Sequence, residues 1–237
     1  MSEWVVIAVD QQVCWVEAVT TVSFLGRDLV MRPPDGERWA DVSIARLPGE
    51  SYFAAGTVIR RFLSAVAWRW TVPIREIGQS GGTQRTRVGG RLEGPLRIFP
   101  GIEFSNLPQA VTLEQERALA LYRDALNLEP NHTYKFLALF RIFGITLPRS
   151  EDQKNWINQQ LGTLIRCQGR VKELQATHND VGAYLYYAGR SALAHAFQPP
   201  LIDPDVFDDT YRINLDLPVV EELIELYMEQ GLGLRRY

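Results

Sequence analysis

Lysine is nearly missing from this 237-residue chain: Lys135, Lys154 and Lys172 stand against 22 arginines. Codon usage alone can produce such a bias, so arginine abundance by itself is no argument for nucleic-acid binding. Cysteine is scarce too. Cys14 and Cys167 lie far apart without a CxxC partner, which excludes a disulfide framework and a structural zinc site and fits a reducing cytosol. The three histidines, His132, His178 and His195, include no pair at i, i+3 or i+4 and no HExxH. Metal-assisted hydrolysis therefore has no support, and no metal site is expected. No Lys-Ser or Lys-Thr follows the glycines at P-loop spacing, no strand–GxGxxG–helix unit is visible, and no cofactor is expected. Long apolar runs are absent: "YKFLALFRIFGI" carries charges and falls short of the roughly 18 residues of a membrane span. The opening "MSEWVVIAVD" is acidic, and its apolar run is too short for a signal peptide. These absences predict a cytoplasmic protein with no membrane partner.

What is present is a globular composition, 46% apolar and 22% charged, with a net charge of only −3. That balance supports a sizeable core and no general affinity for anionic polymers. The fold class read from the pattern is α+β, a mixed N-terminal domain over about 1–105 followed by an all-α bundle over about 110–237. In the first part, "WVVIAV", "VEAVTTVSFL", "DLVMRP" and "WADVSIARL" read as strands, with Pro33-Pro34-Asp35-Gly36 a turn between the last two. Residues 51–70 read as a helix capped by Ser51, with Val58, Phe62, Ala65, Val66 and Arg69 on one stripe. "TVPIREI" reads as a further strand. The second part predicts five helices. One opens on a Thr112–Gln115 capping box, and another covers 131–145. A Ser150–Gln153 box starts a long helix reaching about Gln175. The fourth spans about 180–197, and the last begins at Asp216-Leu217-Pro218 and stops at Gly231.

Residues 78–101 form a glycine- and arginine-rich zone with seven Gly and two Pro. Its "GQSGG" matches G-x-S-x-G, but a nucleophile elbow needs a helix directly after Ser80, and "TQRTRVGGRLEG" does not start one. Arg85, Arg87, Arg91 and Arg97 sit on this segment. Four guanidiniums there could track a phosphate backbone; a solvated loop in an arginine-rich protein is the favoured alternative. At 203–225, eight acids stand against Arg212 alone, which reads as an acidic surface.

The sharpest chemical candidate is "GRSALAHAFQPP" (189–200). In the helix over 180–198, Val181, Tyr184, Leu185, Ala188 and Ala192 line one face, taking about 100° per residue. Arg190 then points nearly opposite that face. His195 lies about 140° from Arg190 around the axis, so regular helical spacing does not bring the two together. Chain termination before Pro199-Pro200, or a second subunit, would have to do so. If they meet, His195 supplies proton transfer, Arg190 neutralises phosphate charge and Ser191 adds a hydrogen bond. The alternative is an exposed helical arginine and a half-buried helix-end histidine.

An R-x4-H motif late in an apolar helix, here Arg190-Ser-Ala-Leu-Ala-His195, resembles the HEPN superfamily. More narrowly, "YLYYAGRSALAHAFQPPLIDPD…RINLDLPVV", with "RALALYRDALNL" and "YKFLALFRIFGI" upstream, resembles the MauJ-type methylamine-utilisation and related HEPN-like bacterial proteins. The resemblance extends to "FLSAVAWRW…IREIGQSGG" in the first half. It implies a HEPN-like helical domain, a homodimer through the helices around 180–198, and a metal-independent endoribonuclease of stress or phage defence. In that reading Arg190 and His195 are catalytic, while Ser191, Arg85, Arg87 and Arg91 bind RNA. The family also holds members that do not cut RNA, so two alternatives accompany the nuclease: a non-catalytic interaction or scaffold protein with a protein partner, and an accessory protein of amine metabolism.

Overall fold

Alternation of β-branched and polar residues in the first part produces strands, and in a computed structural model of the chain they form a five-stranded antiparallel sheet. The structure describes residues 3–10, 15–90, 104, 106–195, 202–203 and 205–236. The strands are β1 (Trp4–Val9), β2 (Thr20–Phe24), β3 (Arg27–Arg32), β4 (Ala40–Ala45) and β5 (Glu76–Gly82), in the order β2-β3-β4-β1-β5. Leu25 and Gly26, both at positive φ (52° and 70°), close the β2–β3 hairpin with the backbone twist that two-residue turns require. A tight turn does fall between β3 and β4, but later than expected: Asp35 and Arg38 exchange backbone N–H···O bonds at 3.1 and 3.2 Å across Gly36-Glu37, and Gly36 is not at positive φ. The chain consists of two compact units, Met1–Gln109 with Arg236–Tyr237, and Ala110–Arg235.

In the sheet unit, α1 (Tyr52–Trp70) covers one face, capped by the Ser51 side chain on the Ala54 N–H. Val5, Ile7 and Val9 pair with Ile44, Val42 and Ala40, and all six are sealed from water. Phe62 of α1 meets Phe24 edge-on, with ring centroids 5.6 Å apart. The buried surface of α1 is broader than the expected stripe: Ala55 and Ile59 are fully buried while Val58 is half-exposed.

The opposite sheet face carries Val6, Ala8, Asp41 and Ser43, which are also fully buried. What covers them is the start of the glycine-rich zone. Residues 78–82, expected in a loop, belong to β5 and pair with β1. The chain then folds back, and residues 83–90 lie as a strap over the sheet. Gly78 accepts Val88 at contact distance, and Gly81 leaves room for the Tyr52 ring, which would lie 2.1 Å from a Cβ there. Tyr52 donates to the Ser80 carbonyl at 2.8 Å. The glycines of "GQSGG" thus permit close approach within a sheet.

The helical unit contains α2 (Leu113–Leu126), α3 (His132–Phe143), α4 (Ser150–Gln160), α5 (Gln168–Thr177), α6 (Val181–Tyr184), α7 (Ala192–Ala194) and α8 (Phe207–Leu226). The Thr112 cap forms: its hydroxyl accepts from the Gln115 N–H, and Gln115 reaches back to the Val111 N–H at 2.7 Å. Around α3 the core is aromatic, with Phe143 at 5.3 Å from Trp156 and 5.1 Å from Tyr227 between ring centroids.

Three helix expectations need correction. Ser150 is not a cap; Arg149 precedes the helix without a side-chain cap bond, and Gln153 donates instead to the Leu147 carbonyl. The helix expected to run to Gln175 breaks after Gln160, because the Glu222 carboxylate of α8 draws in the N–H groups of Ile165, Arg166 and Cys167 at 2.8–3.1 Å. Pro218 does not begin the last helix. It lies inside α8, which starts nine residues before Asp216, at Phe207. At its C-terminus α8 passes into a π-helical turn, Tyr227–Gly231, and the chain leaves helix at the expected glycine.

Candidate functional site

The segment carrying the R-x4-H motif is not one regular helix. Asp180 caps α6 by accepting from the Ala183 N–H at 2.7 Å. The next seven residues, Leu185–Ser191, form a π-helical turn, and α7 ends at Ala194, earlier than the expected Phe197. Two glycines explain why the backbone packs here so closely. A Cβ on Gly182 would lie 2.3 Å from the Lys154 carbonyl oxygen of α4, and one on Gly189 would lie 2.5 Å from the Phe136 ring of α3. The wide turn moves the buried face by one residue, so Gly189 rather than Ala188 meets the core. Such π turns concentrate at functional sites.

Arg190, Ser191 and His195 are all half-buried. The Arg190 guanidinium carbon lies 5.3 Å from the centroid of the Tyr186 ring, one turn earlier. The Ser191 carbonyl accepts from the His195 N–H at 3.0 Å, closing the last helical turn. His195 itself has left the helix, with φ −132° and ψ 107°. The chain therefore abandons helical geometry at the histidine, five residues past the arginine and ahead of Pro199-Pro200. Residues 196–201, the prolines included, lie outside the described residues.

Beside this segment is a polar cluster that sequence reasoning missed. Asp216, 1% exposed, accepts from Arg170 Nε and Nη2 at 2.9 and 2.8 Å and from the Tyr184 hydroxyl at 2.7 Å. Arg212 sits against the same tyrosine, 5.9 Å from its ring centroid. The His178 ring stacks on it at 3.9 Å with planes 16° apart. Burial, with the Asp216 carboxylate adding to it against Arg212, holds the Tyr184 phenol above its ordinary pKa, so it stays a donor. The cluster ties α5, α6 and α8 together. Its members are scattered over 170–216, and the only signal available in sequence was an acid at a helix position that turns out to be buried.

His132 also has a local role, its Nδ1 at 2.8 Å from Asn214 Oδ1. Cys167 donates its thiol to Glu222 at 3.0 Å, and burial with that carboxylate pushes its pKa up to about 12, which favours the thiol over the thiolate.

The arginines expected to follow phosphate are placed differently. Arg87, on the strap, donates from Nε to Asp41 (3.0 Å), from Nη1 to Asp35 (2.7 Å), and from Nη2 to the Pro33 and Trp39 carbonyls (2.6 and 2.8 Å). All three nitrogens are spent on the protein. Arg85 lies over the Trp4 ring, 3.4 Å from its centroid. Ser80 pairs with Val6 mid-strand and donates its hydroxyl to the Thr86 carbonyl, so it occupies no nucleophile elbow. Arg91 and Arg97 lie outside the described residues.

Among the described residues no three His, Cys, Asp or Glu side chains converge as a metal-ligand set, and no helix is long and apolar enough to cross a membrane. Residues 118–229 match the family described as methylamine utilization protein MauJ. That stretch is similar to the family and covers just under half of the chain. The matched stretch contains Arg190, Ser191, His195 and the whole Asp216 cluster, and lies entirely within that unit. It does not take in the "FLSAVAWRW…IREIGQSGG" segment of the sheet unit, to which the resemblance read from sequence extends. No curated protein and no solved structure gave a match.

Proposed function

We propose that this protein is a non-catalytic accessory factor of amine utilisation whose MauJ-like unit works by binding another protein. The observation that carries this reading is the match over 118–229. It is supported by how the polar side chains of that unit are used: Arg170, Asp216, Tyr184 and Arg212 close on one another. Deleting the gene in a host that grows on methylamine tests the proposal. Growth on methylamine as nitrogen source is lost while growth on ammonium is kept; equal growth on both overturns it.

A second reading has one specific observation in its favour. The chain leaves helical geometry at His195, so the regular spacing that would hold it away from Arg190 does not apply at its end, and the pair could serve a metal-independent endoribonuclease acting as a homodimer. Its test is RNA cleavage in the presence of EDTA. Cleavage lost in His195→Ala supports it; no cleavage by the purified protein removes it.

A further inference from the structure

The first half of α8 breaks the usual rule for a surface helix. Its buried positions are Ile213, Asp216 and Leu217, yet its outward positions are also apolar. Phe207, Tyr211 and Leu215, at successive i+4 spacings, are 75%, 50% and 39% exposed, and Val206 just before them is 45% exposed. The Phe207 and Tyr211 rings stack on each other in near-parallel planes, 5.6 Å between centroids and 15° apart. Stacking fixes both rings before any partner arrives, which lowers the ordering cost of a contact made there. Contiguous exposed apolar surface of this kind, rimmed by polar groups, marks interaction sites.

The rim is of one sign. Asp203, Asp205, Asp208 and Asp209 surround the start of the stripe, and among the described residues none of them has a cation within ion-pair distance. Asp203 and Asp209 accept backbone N–H groups of the same loop. Arg212, the one basic residue of this stretch, is directed to Tyr184.

We propose that the Phe207–Tyr211–Leu215 stripe is a docking surface for an arginine-bearing apolar segment of a partner protein. Arginine suits both halves of the surface: its guanidinium stacks on aromatic faces and forks onto carboxylates. Aliphatic side chains of the same segment would cover Leu215 and Val206. An anionic partner, nucleic acid included, is repelled by the four aspartates. The proposal rests on the binding role put forward above and names its surface.

The test uses the full-length protein and a fluorescently labelled synthetic helix bearing leucines on one face and flanking arginines, with a glutamate-for-arginine version as control. Anisotropy should report binding of the arginine helix only. Phe207→Ala/Tyr211→Ala weakens it about tenfold, and Asp208→Asn/Asp209→Asn weakens it while flattening its salt dependence. The charge-reversed variant Asp208→Arg/Asp209→Arg binds the glutamate helix instead. Phe207, Tyr211 and Asp208 are exposed, while Asp209 is half-buried and holds the Asp203 N–H, so circular-dichroism melts of each variant, with Asp208→Asn alone beside the double variant, separate a lost surface from a lost fold. Equal binding by all variants, or no binding of the arginine helix, overturns the proposal. So does a dimer in sedimentation that Phe207→Ala/Tyr211→Ala makes monomeric, since the occupant is then a second copy of this chain. Failure here with growth on methylamine still dependent on the gene removes the surface and leaves the accessory role standing.

Discussion

Asp41 in the sheet unit and Asp216 in the helical unit are each sealed from water and each held by arginine, yet they serve different ends. Asp41 accepts from Arg32 at 2.8 Å and Arg87 at 3.0 Å, and in doing so pins the strap onto the sheet. Asp216 accepts from Arg170 and Tyr184 and joins three helices, while the stretch of α8 just before it exposes aromatic rings. In the first unit Arg87 is committed to closing a surface, and Arg85 lies over Trp4. In the second, the buried charges organise helices and leave an outer face open.

Removing the two carboxylates breaks this comparison most forcefully. Asp41→Ala leaves two guanidiniums facing a buried gap and should cost about 3–5 kcal/mol in denaturant unfolding. Asp216→Ala should cost less, about 2–3 kcal/mol, because Arg170 keeps Glu173 at 2.9 Å and reaches solvent. Equal and small losses at both sites would mean that neither carboxylate pins its unit.

Two tight glycines give the next largest effects. Gly182→Ala sets a methyl 2.3 Å from a backbone oxygen that cannot move without shifting α4, and should destabilise by about 1–3 kcal/mol. Gly81→Ala meets the Tyr52 ring, which can swing aside at the loss of its bond to Ser80, for about 1 kcal/mol. Thermal melts of the two variants should rank in that order; the reverse order would mean that the α4–α6 contact is loose.

What the sequence made legible was local. Thr112 and Ser51 act as caps because the groups they satisfy lie within three residues. The run Trp4–Val9 needed only its own chemistry, and the turn before β4 was placed to within two residues, closing at Asp35–Arg38. What stayed hidden depends on partners distant in sequence. Glu222 interrupts a helix more than fifty residues upstream by capturing its backbone, and no pattern near Gln160 announces that. Arg87 is committed by Asp41 and Asp35, both on the far side of α1 in sequence. Pro218 reads as a helix start because a proline removes one N–H, yet packing of Leu217, Val219 and Val220 carries α8 through it. Arg190 and His195 stand out by spacing, but the π turn over Leu185–Ser191 and the helix end at Ala194 were not visible in a helical-wheel argument.

Acidification should divide the units by sign, with the smallest amplitude of the set. Burial raises the Asp41 pKa beyond what Arg32 and Arg87 pull it down. Its contribution to sheet-unit stability is present below the unfolded carboxylate range and is lost as pH rises through the folded value. Asp180 is the opposite: the Asn158 amide and the Ala183 N–H hold its carboxyl below the usual range. Its contribution is present at neutral pH and is lost as pH falls through the folded value. Segment-resolved hydrogen exchange, corrected for intrinsic rates, should show the helical segment at 181–184 loosening at low pH while strands β1 and β4 gain protection. Parallel loss in both would contradict the assignment of these two carboxylates.

Growth on methylamine of the deletion strain, complemented in turn by two double variants, bears most directly on the account. Arg190→Ala/His195→Ala should restore growth as the wild-type gene does, and Phe207→Ala/Tyr211→Ala should not. The opposite pattern, with growth lost only when the arginine and histidine are removed, would place the activity in that pair and contradict a role carried by binding.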